Sequence, residues 1–316
     1  MKVLLTGASG FVGRALLDKL LVTGQDLRAC YRVLPSTLPD GVECFVTPDF
    51  TSESAWRDAL RGVKVFVHVA ARVHVMNEEA IDPLQEFRRI NLEGTLALGR
   101  WAAEAGVQRF VYISSVKVLG EATPPGAPFY ADTPPAPEDA YGVSKWEAEQ
   151  GLQQLSRETG MEVVIIRPPL VYGPGVKANF LSMVRWLSRG VPLPLGAVTH
   201  NRRSFVALGN LVDLILVCTR HPAAANQTFL VSDGDDLSTA ELLKRMGRAL
   251  GRNVLLPSVP ISWLERAARW SGKKSIYDRL CGSLQVDINK TCQLLEWTPP
   301  LTVDEGLRLV AKEFHS

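Results

Sequence analysis

Three glycines near the start of the chain limit its fold more than any other feature. Gly7, Gly10 and Gly13 follow the apolar run Lys2–Leu5 and lead into Phe11–Leu21, whose apolar residues recur at helical spacing. A strand that turns on glycine directly into a helix is the setting of a dinucleotide cradle. Gly7 permits the turn, Gly10 lets the backbone approach a pyrophosphate, and Gly13 lets the helix pack close to the strand. The helix N-terminus then offers free N–H groups and a partial positive charge to phosphates. The spacing G-x-x-G-x-x-G is one residue longer at the front than the standard form, so in isolation it also fits a plain strand–helix turn.

The rest of the N-terminal half supports the cradle. Apolar runs at Leu27–Tyr31, Glu43–Val46, Lys64–Val69, Phe110–Ile113 and Val163–Ile166 read as strands. Between them, Ser54–Arg61, Pro83–Ala105 and Gly142–Glu158 read as helices, the second ended by Gly106. Repeated β–α units with all-apolar strands predict an α/β fold, a Rossmann doubly wound parallel sheet covered on both faces. Two stretches break the rhythm. The proline-dense Thr123–Pro137 cannot join a sheet and precedes Tyr141, where a loop could cover a substrate. Pro168-Pro169 ends a strand and opens a less regular region. Ser204–Val206 and Phe229–Val231 are expected as strands that return to the first sheet, and Leu237–Leu250 as a helix opened by a Ser238/Glu241 capping box. The expected division is a dinucleotide-binding domain at 1–168 and 205–233, and a smaller C-terminal α/β substrate domain at 169–204 and 234–316.

Bulk properties exclude more than they identify. The 316 residues carry a net charge of +2 with no Lys/Arg cluster, which argues against a nucleic-acid partner. Apolar runs such as Leu211–Cys218 fall far short of the roughly 18 residues of a membrane span. The opening MKVLLTG reads as a strand and not a signal peptide. Cys30, Cys44, Cys218, Cys281 and Cys292 show no C-x-x-C spacing and no histidine pattern, so they read as buried reduced thiols of a cytoplasmic protein without a metal site. His68 and His74 read as structural or loop residues for the same reason.

The second strand ends in Cys30-Tyr31-Arg32, without the acid that would bind the ribose 2′-hydroxyl of NAD. Arg32 could instead pair with a 2′-phosphate, which favours NADP(H) and leaves NAD(H) possible. Asp49 and Phe50, after the third strand, are candidates to meet the adenine. Further on, Tyr141 and Lys145 lie one helical turn apart on one side of a helix. A tyrosine with a pKa of ~10 is a poor base. An ammonium ~4 Å away at an effective dielectric of ~20 would favour its phenolate by about 4 kcal/mol.

With the glycine turn and the Tyr141/Lys145 pair in one chain, the sequence resembles an extended short-chain dehydrogenase/reductase of the nucleotide-sugar epimerase/dehydratase family. The resemblance rests on Gly7-x-x-Gly10-x-x-Gly13, His68-Val69-Ala70-Ala71, Asn91-Leu92-Glu93-Gly94-Thr95, Ile113-Ser114-Ser115, Tyr141-x-x-x-Lys145, Arg167-Pro168, Val171-Tyr172-Gly173-Pro174-Gly175 and Arg203-Ser204-Phe205-Val206. It implies a catalytic set of Ser115 on the sugar C4 oxygen, Tyr141 exchanging a proton, and Lys145 also holding the nicotinamide ribose. It implies cofactor contacts from Ser9, Phe11 and Val12 in the glycine turn, from Ala70, Ala71 and Ser114 at strand ends, and from Asn91 and Pro168. On the substrate side it implies Lys117, an asparagine at Asn179, Leu195 along the nucleobase, and Arg203 gripping the diphosphate with Arg279 as a second clamp. It also implies a homodimer built on the helices around Asn91–Ala105 and Gly142–Glu158.

The departures narrow the reaction. Family 4,6-dehydratases carry Asp-Glu directly after the triad hydroxyl, whereas this chain has Val116-Lys117. Elimination is therefore disfavoured and C4 redox chemistry remains. The stretches His74-Val75-Met76-Asn77, Ser115-Val116-Lys117-Val118 and Arg202-Arg203-Ser204 resemble bacterial 4-ketoreductases of UDP-N-acetylquinovosamine synthesis, which serve O-antigen assembly. The leading expectation is thus NAD(P)H-dependent reduction of a UDP-2-acetamido-2,6-dideoxy-4-keto-hexose. The alternative is a UDP-hexose or UDP-N-acetylhexosamine 4-epimerase with bound NAD. A non-catalytic dinucleotide sensor on the same fold is a third reading, opposed by the intact Ser115/Tyr141/Lys145 set.

Overall fold

The computed structural model describes residues 1–47, 49–50, 52–73, 82–124 and 126–315, the side chains of 178, 179 and 315 excepted. The apolar runs form β1 (Lys2–Thr6), β2 (Asp26–Tyr31), β3 (Val42–Val46), β4 (Val65–His68), β5 (Arg109–Ile113), β6 (Glu162–Arg167), β7 (Leu170–Tyr172), β8 (Phe205–Ala207) and β9 (Thr228–Leu230). Seven of them make one sheet in the order β3-β2-β1-β4-β5-β6-β9, with every neighbouring pair parallel. Parallel neighbours need crossovers, and they contain α1 (Phe11–Val22), α2 (Glu53–Leu60), α3 (Pro83–Phe87), α4 (Thr95–Glu104), α5 (Ala140–Thr159), α6 (Ala178–Ser188) and α7 (Leu208–Arg220). Of these, α1 and α7 cover one face of the sheet and α2, α4 and α5 the other, while α6 joins a separate core.

Alternation along each strand divides the core in two. Val3, Leu5, Val67, Val111 and Val164 pack with Leu16 and Leu20 of α1 and Leu211 and Ile215 of α7. Leu4, Phe66, Phe110 and Ile165 point the other way, against Trp56 of α2, Leu98 of α4 and Leu152 of α5. Leu16 is fully buried in the first of these layers, so Leu16→Ala costs about 2–5 kcal/mol. Strand order reverses between β1 and β4, and the crevice beyond the carboxyl ends of those strands is the ligand position of such a sheet.

A third core gathers the C-terminal part, with Tyr172, Phe180, Phe205, Leu243, Met246 and Leu307. It involves α8 (Thr239–Ala249) and α12 (Val303–His315), separated in sequence by α9 (Ile261–Trp270), α10 (Lys274–Cys281) and α11 (Asn289–Leu295). The Ser238/Glu241 capping box at α8 is present.

Three expectations need correction. Phe229 and Leu230 do return to the main sheet in β9, but Phe205–Ala207 does not; it pairs with β7 in a separate two-stranded sheet. Two prolines after β6 detach Leu170–Tyr172 from the main sheet, and β8 satisfies the edge so created. The helix expected from Pro83 to Ala105 is not regular: Arg88–Gly94, between α3 and α4, is π-helical. Tertiary contacts override the helical pattern there, since Asn91 turns inward to bond a neighbouring loop and a Cβ on Gly94 would lie 2.5 Å from the Phe50 ring. Of the five free cysteines only Cys30 and Cys218 are buried; Cys44, Cys281 and Cys292 are half-exposed.

Candidate active site

The glycine turn is as crowded as the sequence implies. Gly7 has φ +74°, and a Cβ there would meet the Ala70 nitrogen at 2.8 Å, just beyond β4. A Cβ on Gly13 would lie 2.0 Å from the Gly7 carbonyl oxygen, so α1 can approach β1 only without a side chain at that position. Gly10 caps α1 and no side chain satisfies the first turn, which leaves N–H groups of Phe11, Val12 and Gly13 for a ligand. Ser9 and Gly10 are exposed on this turn. A cradle that any Cβ would fill, under an uncapped helix N-terminus, fits the pyrophosphate of a dinucleotide.

Around the cradle, the carboxyl ends of the strands are pinned by polar side chains. His68, fully buried at the end of β4, contacts Thr6 Oγ1 through Nδ1 at 2.7 Å and Thr95 Oγ1 through Nε2 at 3.1 Å. Burial first, and Lys145 second, push its pKa down to about 3, so it is a neutral structural group. Asn91 accepts from the Arg72 N–H at 2.9 Å, and donates to the Arg72 carbonyl at 3.0 Å and to Ser144 Oγ at 3.1 Å. It thereby ties the loop after β4, which contains Ala70 and Ala71, to the helix that carries Tyr141 and Lys145. Beyond β3, where the sequence places candidates for the adenine, Phe50 stacks on Trp56 with centroids 6.3 Å apart, and Asp49 accepts the Ser52 N–H at 3.0 Å. Arg32 is exposed at the end of β2 with no carboxylate partner among the described residues.

The expected catalytic set lies where β5 meets α5. Asp139 accepts the Gly142 N–H at 2.6 Å and so starts α5 one residue before Tyr141. Ser115 lies two residues beyond β5, accepts the Lys117 N–H at 3.2 Å, and its hydroxyl is near enough to the Tyr141 phenol to lower that group's pKa. Phe87 meets the Tyr141 ring edge-on at 5.9 Å. Lys145 is buried, donates to the Ile113 carbonyl at 2.7 Å, and lies 4.4 Å over the Tyr112 ring. Burial pushes its pKa down to about 7, against the pull of Glu149. The expected lowering of Tyr141 by Lys145 is not met in the free chain. Burial, then Asp139, holds that phenol above its ordinary value, and only the Ser115 hydroxyl opposes them. The Lys145 amine is directed at a carbonyl and an aromatic face.

Two nominated residues have other partners. Ser114 donates its hydroxyl to Glu149, and Glu149 pairs with Arg167 at 2.6 Å, all three being buried. Lys117 is held by Asp139 at 2.5 Å and Glu121 at 2.6 Å. The sequence reading missed Glu149, although its place one turn beyond Lys145 on α5 was visible. Pro168 contributes its carbonyl to the Val116 N–H at 3.0 Å, which fixes the turn after Ser115.

Across the crevice, Arg203 donates to the Gly282 carbonyl at 3.2 Å and has no carboxylate partner among the described residues. Burial, then the neighbouring Arg279, lowers its pKa. Two arginines brought together without an acid could hold an anion. Arg279 itself is exposed on α10, and Leu195 packs half-buried on the third core. The side chain of Asn179 and the segment His74–Asn77 lie outside the described residues. Among the described residues no group of His, Cys, Asp or Glu could hold a metal ion.

Fold and site together define an extended short-chain dehydrogenase/reductase that uses a nicotinamide dinucleotide. The profile of the NAD dependent epimerase/dehydratase family matches residues 3–232, and the chain belongs to that family. It is 46% identical over 312 residues to a UDP-glucose 4-epimerase of Vibrio cholerae, covering 99% of this chain and 95% of that protein. The structure resembles a UDP-glucose 4-epimerase from Thermotoga maritima with UDP-glucose, at TM-score 0.79 and 20% identity, covering 100% of this chain and 99% of that one. It equally resembles a short-chain dehydrogenase/reductase from Agrobacterium tumefaciens with bound NAD, at TM-score 0.79 and 23% identity, covering 100% and 97%. The function is of the nucleotide-sugar epimerase/dehydratase type. No helix among the described residues is long and apolar enough to cross a membrane.

Proposed function

We propose that the protein is a UDP-hexose or UDP-N-acetylhexosamine 4-epimerase working with a bound nicotinamide dinucleotide. The observation that carries this reading is the near full-length match to the UDP-glucose 4-epimerase of Vibrio cholerae. The Ser115–Tyr141 hydroxyl pair beside buried Lys145 is consistent with it. When bound, the dinucleotide supplies hydride exchange at the sugar C4. The chain's own part is proton handling and positioning. Ser115 orients the C4 hydroxyl, Tyr141 takes and returns its proton, and Lys145 fixes the nicotinamide ribose. Arg203 and Arg279 hold the diphosphate while the sugar presents either face, with Leu195 along the nucleobase. Val116, buried, stands where a dehydratase has an acid, so this site offers no carboxylate there for elimination.

The 4-ketoreductase reading is second, and one observation favours it. Arg32 is exposed and unpaired by acid at the end of β2, which suits the 2′-phosphate of NADPH, the reductant a net reductase consumes. Both readings keep the same catalytic set and the α4/α5 homodimer. The test incubates purified protein with UDP-N-acetylglucosamine or UDP-glucose without added reductant, and separately with a UDP-4-keto-6-deoxy-N-acetylhexosamine plus NADPH or NADH. C4 epimers forming without net change in nicotinamide support the epimerase. Stoichiometric loss of NADPH on the keto sugar, with no epimers from the other two, sinks it and establishes the reductase.

A further inference from the structure

The α9–α10 hairpin is unlike the rest of the molecule, because neither helix has a single buried residue. Trp270 is 95% exposed and Trp263 is 63% exposed. With Ala267 they follow an i, i+4, i+7 stripe along one side of α9. Ile276 and Leu280 of α10 are exposed as well. Apolar side chains gathered in this way call for a partner.

The charges say which kind. Residues 261–281 hold five basic side chains (Arg266, Arg269, Lys273, Lys274, Arg279) and two acidic ones (Glu265, Asp278). Both acids are already neutralised within their helices, Glu265 by Arg269 at 2.5 Å and Asp278 by Lys274 at 2.6 Å. Arg266 and Lys273 therefore stand beside the tryptophans with no carboxylate partner among the described residues. A second copy of the chain would bring an equally basic face against this one. Tryptophan flanked by free cations, on a helix of 10 residues that is too short to span a bilayer, is the composition of a helix that lies in an anionic headgroup layer.

We infer that the α9–α10 hairpin docks the protein on anionic phospholipid, with Trp263 and Trp270 inserted at the headgroup level and Arg266 and Lys273 paired with lipid phosphates. The base of the hairpin is tied to the anion site, since Arg203 donates to the Gly282 carbonyl next to α10. Docking thus brings the substrate arginines close to the membrane surface, and it holds whichever C4 reaction the site performs.

The test is co-sedimentation of the full chain with vesicles of phosphatidylcholine alone or with about 30 mol% phosphatidylglycerol. Expected is at least about tenfold stronger association with the anionic vesicles, weakened at high salt. Trp263→Ser/Trp270→Ser and Arg266→Glu/Lys273→Glu should each reduce it about tenfold while leaving the melting temperature unchanged. If a variant fails to fold, the contrast between vesicle types and the salt dependence of the unaltered chain still decide. A chain that stays in the supernatant, binds neutral vesicles equally well, or binds as before in both variants overturns the inference. So does self-association by sedimentation velocity that the tryptophan variant abolishes, which would assign the face to a second copy.

Discussion

The carboxyl end of β5 and the α9–α10 hairpin are built on opposite terms. At β5 the polar groups around the candidate site are held firmly: Lys145 and Glu149 are at most 1% exposed, Ser115 and Tyr141 are half-buried, and Ser114, Ser115, Asn91 and His68 each have a hydrogen-bond partner. At the hairpin and the arginine beside it, Arg266, Lys273 and Arg203 stand without a carboxylate partner among the described residues, and Trp270 is almost fully exposed. The first region holds one geometry because any displacement strands a buried polar group. The second keeps charge available for a phosphate. On the proposed function, reaction type resides in the enclosed part, and what is bound resides in the open part.

The contrast is tested most severely at Tyr141. Tyr141→Phe removes the phenol we propose exchanges the proton, and should lower kcat by about 10²- to 10⁴-fold with binding of the proposed UDP-sugar little changed. Steady-state kinetics with calorimetric affinity for the nucleotide checks this. A variant with full turnover would mean that the enclosed region does not set the reaction. Next in size is Glu149→Ala, which leaves Arg167 buried without its partner and Ser114 without its acceptor. It should destabilise the chain by about 3–5 kcal/mol in urea unfolding. A loss under about 1 kcal/mol would show that water reaches this network and that the region is less enclosed than its burial implies.

The same contrast explains what could be read from sequence. The alternation of strands with helices, the glycine turn and Tyr141-x-x-x-Lys145 were legible because each follows from local spacing or from the all-apolar strands of a parallel sheet. The separate β7–β8 sheet was not, because three-residue strands carry no period and their pairing depends on where Pro168-Pro169 sends the chain. The π-helical turn at Asn91 was hidden for a related reason: its cause is the Phe50 ring against Gly94, far away in sequence. Lys145 shows the same limit in energy. Its spacing from Tyr141 pointed to an ammonium acting on a phenol, but its depressed pKa comes from burial that spacing does not encode.

That burial gives the third prediction, with its sign fixed by linkage. Lys145 has an ordinary pKa of 10.5 and about 7 in the folded chain, so between these values the unfolded state binds the extra proton. Wild-type stability should rise with pH from 7 to 10.5 and be indifferent to Lys145 below 7. Lys145→Met lacks this dependence. Relative to wild type it should gain roughly 2–4 kcal/mol as pH falls from 10.5 to 7, whatever constant cost the lost bond to Ile113 adds. Urea titrations across that range measure it, and parallel curves for the two proteins would refute the enclosed state of the lysine.

The smallest effect belongs to the open side of the molecule. Arg32 is solvent-exposed, so its contact with a 2′-phosphate would be screened and worth only about fivefold in affinity. Arg32→Ser should weaken NADPH by that factor in fluorescence titration, leave NADH unchanged, and lose most of its effect at high salt. Unchanged affinity for both cofactors would remove the one observation that favours a net reductase. A much larger loss would mean that Arg32 becomes enclosed on binding, and that the cofactor end of the crevice belongs with the buried region and not with the open one.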